Sequence, residues 1–119
     1  MTSRALILGA KSVIAKALAG ELALGGSHLI LAARQCEVLR PFASDLTLST
    51  GRQVDLIEFD ALAPSDPSAL ASELDAEFGD FDLAILVFGC LGRHRDAAAG
   101  DRAEAERILH TNFTAAVLV

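Results

Sequence analysis

The chain contains no tyrosine, only two cysteines and three prolines, and ten basic residues against sixteen acidic ones. Each scarcity closes off a class of function. With a net charge of −6 and no basic stripe to neutralise phosphates, neither nucleic acid nor an anionic membrane is a suitable partner. No apolar run approaches the roughly 18 residues that span a bilayer. The N-terminus also lacks a signal-peptide layout, so the sequence reads as cytoplasmic. Cys36 and Cys90 stand in no CxxC or metal spacing and read as reduced, small hydrophobes. His28, His94 and His110 lie far apart without a cysteine or carboxylate at ligand spacing, so no metal site is predicted. Internal repeats, low-complexity segments and linkers are missing too, which leaves one domain at most in 119 residues.

What is present is apolar and periodic. Hydrophobic residues make up 52% of the chain, ample for a core. The organising stretch is Ala5 to Leu22, ALILGAKSVIAKALAGEL. Ala5-Leu6-Ile7-Leu8 is a short apolar run of the kind that a central parallel strand uses, and Gly9 ends it where the backbone must turn. Ser12 is placed to cap the helix that follows. Ile14, Leu18 and Leu22 recur at i, i+4 and i+8 with Ala15 and Ala19 beside them, which predicts an apolar face lying on a sheet. Unpaired N–H groups and the positive end of the helix dipole then gather at the turn, a suitable seat for a pyrophosphate.

The alternation continues. His28 to Ala33 predicts a second strand after the helix stop Gly25-Gly26. A helix from about Cys36 to Leu48 follows, with Val38, Leu39, Phe42 and Leu46 inward and Pro41 delaying or bending it. Val54 to Phe59 predicts the third strand. Asp66-Pro67-Ser68 opens a third helix that Gly79 closes. Phe81 to Phe88 predicts a fourth strand, apolar enough from Leu83 to be buried on both faces, and Gly89 to Gly100 a loop. Asp80 and Asp82 read as turn residues at the amino end of the sheet. Asp101 and Glu104 have the spacing of a capping box for a final helix with Leu109, Phe113, Ala116 and Val117 inward. Four such units imply an α/β fold, a Rossmann-type doubly wound parallel sheet of order 3-2-1-4 in a three-layer αβα sandwich. Its ligand crevice lies at the carboxyl ends of the strands. Gly9 to Ile14, Arg34, Asp60 and Phe88 to Gly92, scattered in sequence, are thereby predicted along one rim.

Arg34 follows the second strand directly, where NAD-preferring Rossmann proteins commonly carry an acidic residue for the ribose 2′-hydroxyl. A guanidinium there can hold a 2′-phosphate bidentately, so NADP is favoured over NAD. Lys11 stands in the glycine turn as a second positive charge near the phosphates; a solvated loop charge is the plain alternative for both.

The order strand, Gly9, three residues, Val13, Ile14, Ala15 resembles the TGxxxGxG fingerprint of the short-chain dehydrogenase/reductase family. Val13 stands at its second glycine and Ala15 at its third. The resemblance implies that Gly9, Lys11, Ser12, Val13 and Ile14 surround the pyrophosphate, and that Asp60 and Ala61 lie near the adenine. Phe88-Gly89 stands in place of the family's NNAG motif, with Gly89 as the closing glycine against the cofactor ribose. Asn112, in the run Asn112-Phe113-Thr114, matches a helical asparagine that supports the catalytic lysine through water, and it is the candidate catalytic-site residue. Helical spacing sets it beside Ile108 and Ala115, at the edge of the buried face.

The activity implied is hydride transfer between NADP and a carbonyl or alcohol carbon of a small molecule, with a tyrosine, a lysine and a serine doing the proton work. The chain has no tyrosine and reaches Leu118-Val119 before a YxxxK segment is expected. It therefore reads as the amino-terminal cofactor half of such a reductase, inactive alone, with residues 1–119 as one truncated NAD(P)-binding domain. An edge fourth strand and a final helix that often lies at the family's dimer interface make homo-oligomerisation the expectation. The alternative is a non-catalytic nucleotide-binding module or sensor of the same fold. A flavodoxin-like receiver domain fits worse, because Gly9-Ala10-Lys11 stands where its acidic cluster belongs.

Overall fold

The computed structural model describes residues 3–62, 67–89 and 102–114. Four strands, β1 (Arg4–Leu8), β2 (His28–Ala33), β3 (Val54–Glu58) and β4 (Leu83–Leu86), form one parallel sheet of order β3-β2-β1-β4. Register runs from Leu6 to Ile30 and from Leu6 to Ala84, and Leu31 faces Leu56 across the other seam. The predicted 3-2-1-4 order is thus the observed one. β1 and β2 are buried on both faces, which is why their sequences are continuous apolar runs.

Alternation along the strands splits the core in two. Ala5, Ile7, Leu29 and Leu31 face α1 (Val13–Leu24) and α2 (Arg40–Thr50), while Leu6, Leu8, Ile30 and Ala32 face α3 (Pro67–Phe78) with Leu74 and Phe78. Helices on both sides of the sheet complete the three-layer sandwich.

Several local expectations change. The buried stripe of α1 is Ala15, Ala19 and Ala23, whereas Ile14 is 67% exposed. Methyl side chains let the helix lie close on the sheet, and that closeness turns the larger residues to the flanks. The segment predicted as one helix from Cys36 is a 3-10 turn (Cys36–Leu39) followed by α2, with Pro41 in the first turn, where a missing N–H costs nothing. That change of helix type leaves Leu39 and Leu46 buried and turns Val38 outward. β4 is also largely exposed rather than buried on both faces: it is one of the sheet's two outer strands and carries Leu83 and Leu86 on its surface.

The last described helix, α4 (Arg102–Leu109), passes into a π turn, His110–Thr114. Leu109 and Phe113, expected inward, are exposed; the side chains that face inward are Glu104 and Thr111. Cys90 and the predicted 89–100 loop beyond Gly89, Asp101, Ala116 and Val117 lie outside the described residues. At the amino end of the sheet, the Arg4 guanidinium donates to the carbonyls of Phe78 and Asp80, and the Arg4 N–H donates to Asp82 at 2.9 Å. Asp80 and Asp82 are therefore turn residues, far from the crevice. His28 Nδ1 accepts the Gln53 N–H at 2.9 Å and pins the start of β3. No described helix is long and apolar enough to cross a membrane.

Candidate functional site

The glycine turn between β1 and α1 is fixed by sterics. Gly9 has φ +89°, and a Cβ there would lie 2.8 Å from the Phe88 nitrogen and 2.9 Å from the Val87 carbonyl carbon. The turn therefore needs glycine twice, for its left-handed backbone and for the close passage of the chain leaving β4. Gly9 and Ala10 N–H groups both donate to the Ala32 carbonyl, at 2.8 and 3.1 Å, which ties the turn to the end of β2. Ser12 caps α1 by accepting the Ala15 N–H at 3.0 Å.

Beside this turn lies a pocket of about 260 Å³ at the carboxyl ends of the strands. It is lined by Gly9, Lys11 and Ser12 from the turn, Arg34 after β2, Phe59 to Leu62 after β3, Phe88 and Gly89 after β4, and Arg107 and Thr111 from α4 and the π turn. The structure thus brings together Gly9, Lys11, Ser12, Arg34, Asp60, Ala61, Phe88 and Gly89 from the sequence-predicted set. Val13 and Ile14 sit on the exposed first turn of α1 and do not line the pocket. Asn112 is exposed rather than at a buried edge: Thr111, two turns after buried Glu104, takes the inward face, and Asn112 follows it round the helix. Its Oδ1 still comes to 3.3 Å from where a Gly89 Cβ would stand, so the bare backbone at Gly89 gives the amide room.

The walls differ in chemistry. Phe59 and Phe88 pack with ring centroids 5.4 Å apart, tilted by 51°, and make the apolar side. Asp60 accepts the Leu62 N–H at 2.9 Å through one carboxylate oxygen, while the other has no hydrogen-bond partner among the described residues. Lys11 and Arg34 are exposed cations on the open side. Arg107 pairs with Glu104 at 2.6 Å, and that carboxylate is only 6% exposed, so the guanidinium is held against the pocket with its charge matched.

Glu58 is a residue that sequence reasoning missed. Its carboxylate accepts the N–H of Gln35 at 2.7 Å and of Cys36 at 3.0 Å, holding the left-handed Gln35 (φ 51°) next to Arg34. These backbone donors, Cys36 first, keep the Glu58 carboxyl below its usual range, with Lys11 adding to the effect. The Cys36 thiol is pushed up, chiefly by burial and then by its hydrogen bond to Glu58, so it stays protonated and unreactive. The available signal was an acid at the carboxyl end of β3, two residues before Asp60. Arg107 and Thr111 were missed as well; their i, i+4 spacing beside Asn112 was the clue. No cluster of three metal-ligating side chains occurs among the described residues.

Comparison with known proteins agrees with this geometry. The profile of the short chain dehydrogenase family matches residues 3–119. Among solved structures, L-sorbose reductase of Gluconobacter frateurii, complexed with NADPH and L-sorbose, is 26% identical with a TM-score of 0.83, over 98% of this chain and 44% of that one. A protein of Escherichia coli CFT073 assigned as a short chain dehydrogenase, complexed with NADPH, is 26% identical with a TM-score of 0.86, over 98% of this chain and 49% of that one. A short chain dehydrogenase of Shigella flexneri, 24% identical with a TM-score of 0.87 over 98% of this chain and 46% of that one, shares the fold. The chain thus spans about half the length of the structures it matches. No curated protein gives a match. A fold of order 3-2-1-4, a glycine turn facing a strand-end pocket and a profile match over nearly every residue place this chain in the short-chain dehydrogenase family.

Proposed function

We propose that the chain is the cofactor-holding half of an NADP(H)-dependent oxidoreductase. The observation that carries this reading is the convergence of Gly9, Lys11, Ser12, Arg34, Asp60 and Gly89 on one pocket at the carboxyl ends of the strands. The residues fit a dinucleotide phosphate: a tight turn held left-handed at Gly9, a capped helix N-terminus, and two exposed cations lining the pocket. Bound there, NADP(H) supplies or accepts the hydride. The chain's own residues orient and retain it. Arg34 meets a 2′-phosphate, Glu58 holds the loop that carries Arg34, and Asp60 offers its unpartnered oxygen to an adenine amino group. NADPH in two of the matched structures supports the choice of cofactor.

Asn112, next to Gly89, is the residue we assign to supporting the proton-transfer groups, and the substrate is a small carbonyl or alcohol compound. The reading takes the protein as cytoplasmic. A second reading, a nucleotide-binding module without catalysis, is favoured by the complete lack of tyrosine in these 119 residues. Amide chemical shifts on addition of NADPH test the assignment: changes concentrated at Gly9–Ser12, Arg34, Asp60–Leu62 and Gly89 bear it out, and changes elsewhere or none defeat it.

A further inference from the structure

Thr111 is 7% exposed, lines the pocket, and its Oγ1 has no hydrogen-bond partner among the described residues. A helical threonine ordinarily settles its hydroxyl on a carbonyl one turn back. This protein does so twice in α2, where Thr47 donates to Ala43 at 3.0 Å and Thr50 to Leu46 at 2.6 Å. Thr111, in the π turn, does not. A valine of the same shape would fill the site without burying an unsatisfied polar group, so the hydroxyl is a burden to the free protein. Its partner has to come from the pocket.

We infer that Thr111 is a ligand contact for the adenine base of the bound nucleotide, an assignment that rests on the nucleotide reading above. The base, rather than a phosphate, is the chemistry that suits this corner. Lys11 and Arg34, the cations on the open side, are the natural partners of phosphate, whereas Arg107 beside Thr111 already has its charge matched by buried Glu104. The remaining surroundings are the Phe59–Phe88 pair and the Asp60–Leu62 turn, an apolar slot with hydrogen-bonding groups at its edge. A flat heterocycle with donors and acceptors on its rim matches that arrangement. The pocket's 260 Å³ is also below the range of roughly 300–1,000 Å³ typical of whole drug-sized ligands, which fits one end of a dinucleotide.

The test compares wild type, Thr111→Val and Thr111→Ser by calorimetric titration with 2′,5′-ADP, which carries the base and both phosphates but no nicotinamide, and by thermal melting without ligand. The inference predicts opposite signs: Thr111→Val melts higher than wild type when free, yet binds 2′,5′-ADP about fivefold to tenfold more weakly, the worth of one neutral hydrogen bond. Thr111→Ser restores the binding. If Thr111→Val binds as wild type does, the assignment of Thr111 is overturned while the nucleotide reading stands. If wild type binds neither 2′,5′-ADP nor NADPH, both are overturned together.

Discussion

At the scale of single residues, Gly9 has the least freedom of any position in the site. Alanine there would have to hold a left-handed backbone, at about 1–2 kcal/mol, with a Cβ 2.8 Å from the Phe88 nitrogen. Gly9→Ala should therefore lower the melting temperature by several degrees and abolish nucleotide binding, as melting and titration would show. Glu58 makes a prediction with a pH signature. Its folded-state carboxyl is depressed, so its stabilisation is complete above the unfolded value of about 4.3 and is lost as pH falls through the lower folded value. Denaturation of wild type and Glu58→Gln should differ by a constant amount from neutrality to about pH 5, and the difference should shrink in stronger acid. A difference that grows on acidification would contradict the assigned bonds. Gly9, Ser12, Arg34 and Asp60 were legible in the sequence because local chemistry marks them: a turn, a cap, a strand end. Glu58 and Thr111 were not, because their importance comes from partners, or a missing partner, that only the folded chain reveals.

At the scale of elements, the alanine stripe of α1 sets the spacing between helix and sheet. Ala19 is fully buried against that sheet, so Ala19→Leu should cost about 1–3 kcal/mol by overpacking, measurable by chemical denaturation. Ala17→Leu, on the exposed face, should cost little. The stripe also shows where periodicity misleads. Ile14, Leu18 and Leu22 share the spacing of the alanines, and hydrophobicity alone picks the larger set; packing distance picks the smaller. Strands β1 and β2 carried no such ambiguity, since after their first residues, Arg4 and His28, burial on both faces leaves only apolar side chains. β4 reads the same way in sequence, yet it is an outer strand with three of its four residues exposed. An apolar run reports the capacity for burial, and position in the sheet decides whether burial happens. The π turn after α4 was invisible for a related reason: nothing in HTNFT distinguishes it from an α-helical turn.

At the scale of the whole molecule, Leu83 and Leu86 on β4 and Leu109 and Phe113 in the final helical segment leave four large apolar side chains exposed. We expect self-association through these surfaces. Sedimentation should give a mass above the 12.5 kDa of one chain, and Leu109→Glu with Phe113→Glu should move it towards that value. A monomer in the wild type would contradict the expectation. On the proposed reading the pocket at the carboxyl ends of the strands holds NADP(H), with Arg34 meeting the 2′-phosphate. Parallel titrations with NADPH and NADH, on wild type and Arg34→Asp, test it most directly. The account predicts that wild type binds NADPH at least about tenfold more tightly than NADH, and that Arg34→Asp removes most of that preference, as loss of a charge-assisted contact should. Equal affinity for the two cofactors, or a preference that survives the substitution, would contradict it.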